Sequence, residues 1–221
     1  MKKIFAFSLV LLFAASSFAQ IKIFSYPFTI SYEAGYTNQL RSGSQFSDVY
    51  LNGLRSALLG KLEFNNKISI QTGAIYNLNF YTQTQKFNNA SSIIRLSYGG
   101  HQLDVPVYVG YHFNMFNHSL KVFGYTGPAV RFGISEKRLV EFVNTTELIE
   151  NQAGIASGLS NLYKDKELKR VSLALGVGGG FEWKNFFLKS GYDFGLTDIN
   201  RLKNKSSLHQ SGWFLTLGHN F

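Results

Sequence analysis

Leu103-Asp104-Val105-Pro106-Val107-Tyr108-Val109-Gly110-Tyr111-His112-Phe113 constrains this chain more than any other stretch. Every second residue, Leu103, Val105, Val107, Val109, Tyr111 and Phe113, is apolar or aromatic. The row between them, Asp104, Pro106, Tyr108, Gly110 and His112, is small, polar or mixed. A period of two identifies a strand with one oily and one wetter face. The stretch exceeds the usual soluble strand of about 5–6 residues. It matches the roughly 9–11 residues that a tilted strand needs to cross a bilayer.

The same alternation predicts seven further strands. Tyr26 to Asn38 carries Phe28, Ile30, Tyr32, Ala34 and Tyr36 on one face, and a polar Asn38 to Tyr50 loop follows. Leu51 to Phe64 and Lys67 to Thr84 flank an Asn65-Asn66 turn, since Asn tolerates the left-handed backbone of tight hairpins. Gln85 to Arg95 reads as a loop before the strand of the opening stretch, which ends in a short Asn114 to His118 connection. Ser119 to Ser135 is the fifth strand, with a bulge predicted at Gly124-Tyr125-Thr126-Gly127-Pro128 because Pro cannot donate to the ladder. Glu136 to Lys169 is irregular, and Leu148, Ile155, Leu159 and Leu162 predict a short amphipathic helix after Thr145 and Thr146. Arg170 to Trp183, Phe186 to Thr197 and a final strand through Trp213 to Phe221 complete the set, with a tight turn at Lys184-Asn185.

Composition agrees. There are 21 Phe, 12 Tyr and 21 Gly but only 3 Pro and no Cys, so neither disulfides nor thiolate metal sites are available. The connections alternate long and short, the asymmetry of a transmembrane barrel with short periplasmic turns and longer external loops. Tyr36, Phe64, Phe80, Tyr111, Phe113, Trp183, Phe194, Trp213 and Phe221 supply interfacial girdles. A lipocalin-like barrel and a β-sandwich would also alternate, but the polar row here is too glycine-rich for a solvent face. The fold class is therefore all-β, an eight-stranded antiparallel up-and-down transmembrane β-barrel occupying residues 20–221.

Residues 1–19 read as a cleaved signal peptide. Lys2 and Lys3 precede the apolar run Ile4 to Phe13, and Ser17-Phe18-Ala19 offers a cleavage site before Gln20. The net charge of +9 then falls by the two lysines that leave. In an exported protein this basic balance reads first as scattered solubilising Lys, and as a counterpart anionic lipid or surface polysaccharide fits better than nucleic acid.

The signal segment, eight strands and terminal Phe221 resemble small outer-membrane barrels of the OmpA/OmpX kind. Leu103-Asp104-Val105-Pro106 leading into Val107–Phe113, followed by Gly124 to Pro128, is similar to the PorT-type outer-membrane barrels of Bacteroidota. The resemblance implies the outer membrane of a Gram-negative bacterium. It also implies a link, for some members, to secretion across that membrane and to gliding.

A barrel of eight strands is just wide enough for side chains to fill it. The inward row contributes Glu33, Arg55, Lys61, Glu63, Asp104, Arg131, Glu182, Lys189 and Asp193. Charges in a dry interior must be paired, so these nine form a structural plug, with Arg131 the first partner for Asp104. No catalytic, cofactor or metal site is expected. His101, His112, His118, His209 and His219 show no spacing that demands nucleophilic catalysis or metal ligation. Gly178-Gly179-Gly180 lies in a strand and makes room for a bulky neighbour across the lumen. The function expected is a non-enzymatic membrane anchor that presents external loops to an envelope or secretion protein, or to a surface glycan. Outer-membrane lipid and lipopolysaccharide surround a monomeric barrel in this reading. An outer-leaflet lipid-processing enzyme and a narrow channel are the alternatives.

Overall fold

The computed structural model describes residues 21–23, 26–43, 46–64, 67–86, 93–115, 120–143, 158–202 and 207–221. The signal segment, the Asn65-Asn66 turn, His118, Thr145, Thr146, Leu148 and Ile155 lie outside the described residues.

The strands are β1 (Ile21–Ile23), β2 (Tyr26–Gly43), β3 (Phe46–Glu63), β4 (Ile68–Lys86), β5 (Ile93–Met115) and β6 (Leu120–Val143), then β7 (Gly158–Asn161), β8 (Val171–Trp183), β9 (Phe186–Gly195) and β10 (His209–Asn220). Eight of them close a ring in the order β2-β10-β9-β8-β6-β5-β4-β3, with β3 pairing back onto β2. Every pair is antiparallel, and the seam between first and last staves runs from His209↔Ser42 to Asn220↔Ser31. Closure leaves no open sheet edge in the wall, which lipid requires. Below the seam, β1 pairs with β2 from Ile21↔Phe28 to Ile23↔Tyr26 and prolongs the lane that β10 vacates. The Phe221 amide, donating to Ile30 O at 2.9 Å, marks the junction.

The two rows of the opening stretch face as their chemistry demands. Val107 is 49% exposed and Tyr108 1%. Leu54, Ile70, Val177, Leu188 and Leu215 share the outer face with Val107, while Ala57, Leu59, Ile75, Tyr125 and Phe214 pack inside with Tyr108. The 13 residues of β8, at about 3.3 Å each and tilted about 40°, rise roughly 30 Å, the height of a hydrocarbon core.

Four expectations need correction. The predicted Asn38 to Tyr50 loop is strand, because β2 continues to Gly43 and β3 begins at Phe46. Gln85, Lys86 and Ile93 to Arg95 of the predicted Gln85 to Arg95 loop are strand too, so the connections do not alternate strictly between long and short. The helix read through Leu159 and Leu162 is absent where it is described. Leu159 lies in β7, which pairs with Lys137 to Val140 of β6, and Leu162 begins the turn that follows. Finally, no bulge occurs at Gly124–Pro128, where β6 keeps an unshifted register with both β5 and β8.

What marks the stretch instead is backbone conformation. Gly127 (φ 157°) and Gly73 (φ 154°) occupy a region closed to L side chains. A Cβ on Gly127 would sit 2.1 Å from Val107 O, and one on Gly73 would sit 2.3 Å from Leu58 O. The bulge falls higher, where His101 pairs with Ser135 but Gln102 with Gly133, leaving Ile134 as the extra residue.

Candidate functional site

The lumen is filled by charge held in tiers. At the periplasmic mouth, Lys61 Nζ lies 3.0 Å from Glu63 and 3.5 Å from Glu182, which also accepts Lys121 at 3.2 Å. Lys61 on β3 and Glu182 on β8 belong to staves opposite one another in the ring, so this contact crosses the lumen. Above it Lys189 Nζ lies 3.1 Å from Glu33 and 4.8 Å from the Tyr125 ring centroid. In the middle tier Asp193 sits between Arg55 (3.1 Å) and Arg131 (3.5 Å), and the Arg55 guanidinium stacks on Phe214 at 3.8 Å. Asp104 accepts from Asn77 at 2.9 Å and from Gln102 at 2.6 Å. Arg131, the partner expected for Asp104, lies 3.8 Å from it, an ion pair without a hydrogen bond, and donates to Gln210 O at 2.7 Å. The nine sequence-predicted lumen residues thus fall into three groups along the axis.

A fourth group was not foreseen. Arg41 on β2 grips Glu136 on the opposite stave β6 through both terminal guanidinium nitrogens and donates from Nε to Gln210 Oε1 at 2.7 Å. Gln210 in turn bonds Gln39 and, at 3.0 Å, Gln102 on the opposite stave β5. Arg41 fell in a stretch read as loop. Glu136 was hidden by the Ile134 bulge, since one extra residue exchanges inward and outward parity for everything beyond it. The inner glycines make room as expected, but for neighbours on the adjacent stave: Gly178 for Tyr125 and Gly180 for Phe123, not for a residue across the lumen. Between the periplasmic and Lys189 groups lies a cavity of about 50 Å³ lined by Tyr108, His112, Phe123, Tyr125 and Phe187.

Above the Arg41–Glu136 group the chain builds a cap. Leu162, Leu168, Ile199 and Leu208 form a small buried core with Tyr98 and Tyr163 against it. Lys169 N donates to Ile199 O (2.8 Å) and Arg201 N to Glu167 O (3.0 Å), joining the two connections edge to edge. Arg138 holds Glu167 through two bonds of 2.9 Å. Burial works to raise the Asp198 carboxyl, but the amides of Leu208 (2.8 Å) and Asn200 (2.9 Å) and the Lys169 ammonium outweigh it, holding the group below its ordinary range. Burial, with Glu136 beside it, pushes the Tyr163 phenol up to about 12. A cleft of about 10 Å³ lies between this cap and Arg41, Gln102 and Arg131.

The described histidines have other settings. His101 is hydrogen-bonded to Tyr76 on the outer face, and His209 Nδ1 lies 3.3 Å from Gly195 O. His219 packs between Phe186 and Phe221 with ring centroids at 4.9 and 4.8 Å. Among the described residues no group of three His, Asp or Glu could hold a metal.

An exposed apolar belt around a closed ring with an ion-paired lumen defines a transmembrane β-barrel. Residues 18–201 match the family described as "Outer membrane protein beta-barrel domain". The chain belongs to that family, and its place is the outer membrane of a Gram-negative bacterium. No curated protein matches it in sequence. Among solved structures it is similar to Ail, the attachment invasion locus protein of Yersinia pestis, solved with the heparin analogue sucrose octasulfate. That match has 14% identity and a TM-score of 0.44, covering 88% of this chain and 99% of the other. Neisserial surface protein A matches at 13% identity and TM-score 0.42, over 88% and 97% of the two chains. The N-terminal barrel of Pseudomonas aeruginosa OprF matches at 13% and 0.37, over 86% and 97%.

Proposed function

We propose that this protein is a non-enzymatic outer-membrane anchor whose external cap is its interacting surface, the barrel being a plugged support. The observation that carries this reading is the cross-lumen pairing of charge at both ends, Lys61–Glu182 at one and Arg41–Glu136 at the other. The nine predicted lumen residues, with Arg41 and Glu136, serve as the plug. All of these ions but Lys61 and Glu63 at the mouth are buried, so opening the bore would leave desolvated charges without their partners. Side chains committed in this way are not available to transport or catalysis, which leaves the cap as the place where a rigid scaffold meets its surroundings. The barrel works as a monomer among outer-membrane lipid and lipopolysaccharide, without a cofactor.

The likeness to PorT-type barrels supports an envelope or secretion setting for the partner. In the structure the residues that carry this likeness build the wall: Pro106 O accepts from Thr72 at 2.7 Å, and Gly127 sits in β6 where a Cβ would meet Val107 O. The test joins three measurements. Planar bilayers with the intact protein should show no discrete conductance, and lipid A mass spectra of a deletion strain should match the parent. Excising 147–163 should leave a heat-modifiable, membrane-inserted barrel that no longer supports attachment of cells to their substratum. Discrete channel steps, or altered lipid A, would overturn the reading.

A further inference from the structure

The cap distributes its charge unevenly. The basic run Lys164-Asp165-Lys166-Glu167-Leu168-Lys169-Arg170 lies on one of its connections, and Arg201 lies on the other. The Leu168↔Asn200 bridge and the backbone bonds of Lys169 and Arg201 place Lys164 to Arg170 and Arg201 on one surface. The acids there are already engaged. Glu167 is held by Arg138, Asp198 by Lys169 at 3.3 Å, and the Asp165 carboxylate accepts from Asn161 N at 2.9 Å. Arg170 lies 5.3 Å from the centroid of the Tyr163 ring. Lys164, Lys166 and Arg201 are exposed, and among the described residues their side chains have no ion-pair partner. On the described face of the cap, with the Arg138–Glu167 and Lys169–Asp198 pairs set aside, Lys164, Lys166, Arg170 and Arg201 stand against Asp165 alone, and that face is positive.

Shape and place narrow the occupant. The described cleft between Lys169, Arg170 and the lumen residues Arg41 and Arg131 offers about 10 Å³, about one water's worth, so a ligand of these cations lies across the surface. Leu168, Lys169, Arg170 and Ile199 sit directly over the lumen residues Arg41, Gln102 and Arg131. The positive face thus stands over the bore and away from the lipid belt where headgroup phosphates run. It also lacks the aromatic anchor of a protein interface, because Tyr163 is tucked beneath Arg170 with its hydroxyl 3.5 Å from Glu136. Resting on the reading of the cap as the interacting surface, we infer that its partner is an extended anionic polysaccharide, carboxylated or sulfated, held by Lys164, Lys166 and Arg201.

The test uses the full chain in phosphatidylcholine nanodiscs with alginate, dextran sulfate, neutral dextran and double-stranded DNA as probes. Alginate and dextran sulfate should bind and dextran should not. Affinity should fall at least tenfold between about 0.1 M and about 1 M salt, where the screening length drops from about 10 to about 3 Å. The triple variant Lys164→Ser, Lys166→Ser, Arg201→Ser should lose roughly tenfold in affinity, the scale of three exposed ion pairs. It should keep the heat-modifiable gel shift of a folded barrel. Lys67→Ser with Lys184→Ser removes charge from the periplasmic end and should change nothing.

Equal loss in both variants, no loss in the triple variant, or DNA binding as tight as alginate would overturn the inference. If the polysaccharide arms fail while the 147–163 excision still abolishes attachment, this inference falls and the anchor reading stands. Altered lipid A or channel steps would remove the anchor reading itself.

Discussion

β6 and β8 are hydrogen-bonded neighbours, yet β6 runs 24 residues and β8 only 13. Within the membrane the two are equivalent. Their register is continuous from Leu120↔Trp183 to Phe132↔Val171, and both alternate lipid-facing and lumen-facing side chains. Beyond that span they part. β6 continues as ribbon with β5 up to Ile93↔Val143, while the chain before β8 folds into the cap. The difference shows what each solvent demands. In lipid every backbone group needs a partner along the wall, so the ladder is compulsory. Outside, water and side chains can serve the backbone, and Asp198 and Asn161 do so through turns that a ladder would forbid.

The sharpest test of this contrast lies inside the wall, where a pairing error has no solvent to relieve it. Asp193→Asn leaves Arg55 and Arg131 facing a neutral amide, and a broken buried pair costs about 3–5 kcal/mol. Urea titration followed by gel mobility should show that drop. A small change would mean that water already screens the middle tier. On the outer face, Val107→Arg should cost about 2–4 kcal/mol, as for Arg near the bilayer midplane. Thr82→Arg, exposed on the ribbon end of β4, should cost almost nothing. Equal costs would put the ribbon in lipid and erase the distinction.

In the cap, Leu168→Ala should loosen the small core by about 2 kcal/mol or more, read as faster proteolysis near 164–170 with the barrel still heat-modifiable. Loss of the barrel as well would make cap and wall one cooperative unit. The smallest effect concerns pH. Because the folded Asp198 carboxyl titrates below its ordinary value of about 3.9, its contribution is present above that value and disappears as pH falls through the folded one. The Asn200 and Leu208 amide resonances should shift over that acidic window. In Asp198→Asn they should hold still.

The alternation of Leu103 to Phe113 was enough to orient the wall, and the inner parity of β2 already ran past Glu33 through Thr37 and Gln39 to Arg41. Arg41 was missed because a polar composition was read as loop, whereas strand beyond the membrane need not be oily. Glu136 could not be read from parity at all. A bulge at Ile134 leaves no mark in composition, and it turns Glu136 inward to meet Arg41. Phe214 escaped for the opposite reason. An aromatic in an inner row looks misplaced until the Arg55 guanidinium is found stacked on it. The cap was least legible, since Leu162, Leu168, Ile199 and Leu208 meet through tertiary contacts without any period.

The seam between β2 and β10 carries a consequence for biogenesis. Ser31 and Asn220, paired across it, are separated by nearly the whole described chain, so the loop they close is among the costliest the molecule forms. Until β10 is synthesised, the growing sheet has two raw margins and an oily outer surface. That intermediate would aggregate in the periplasm if left exposed. The nascent chain must therefore travel in an unpaired, escorted form and commit to its wall only when its final stave is at hand.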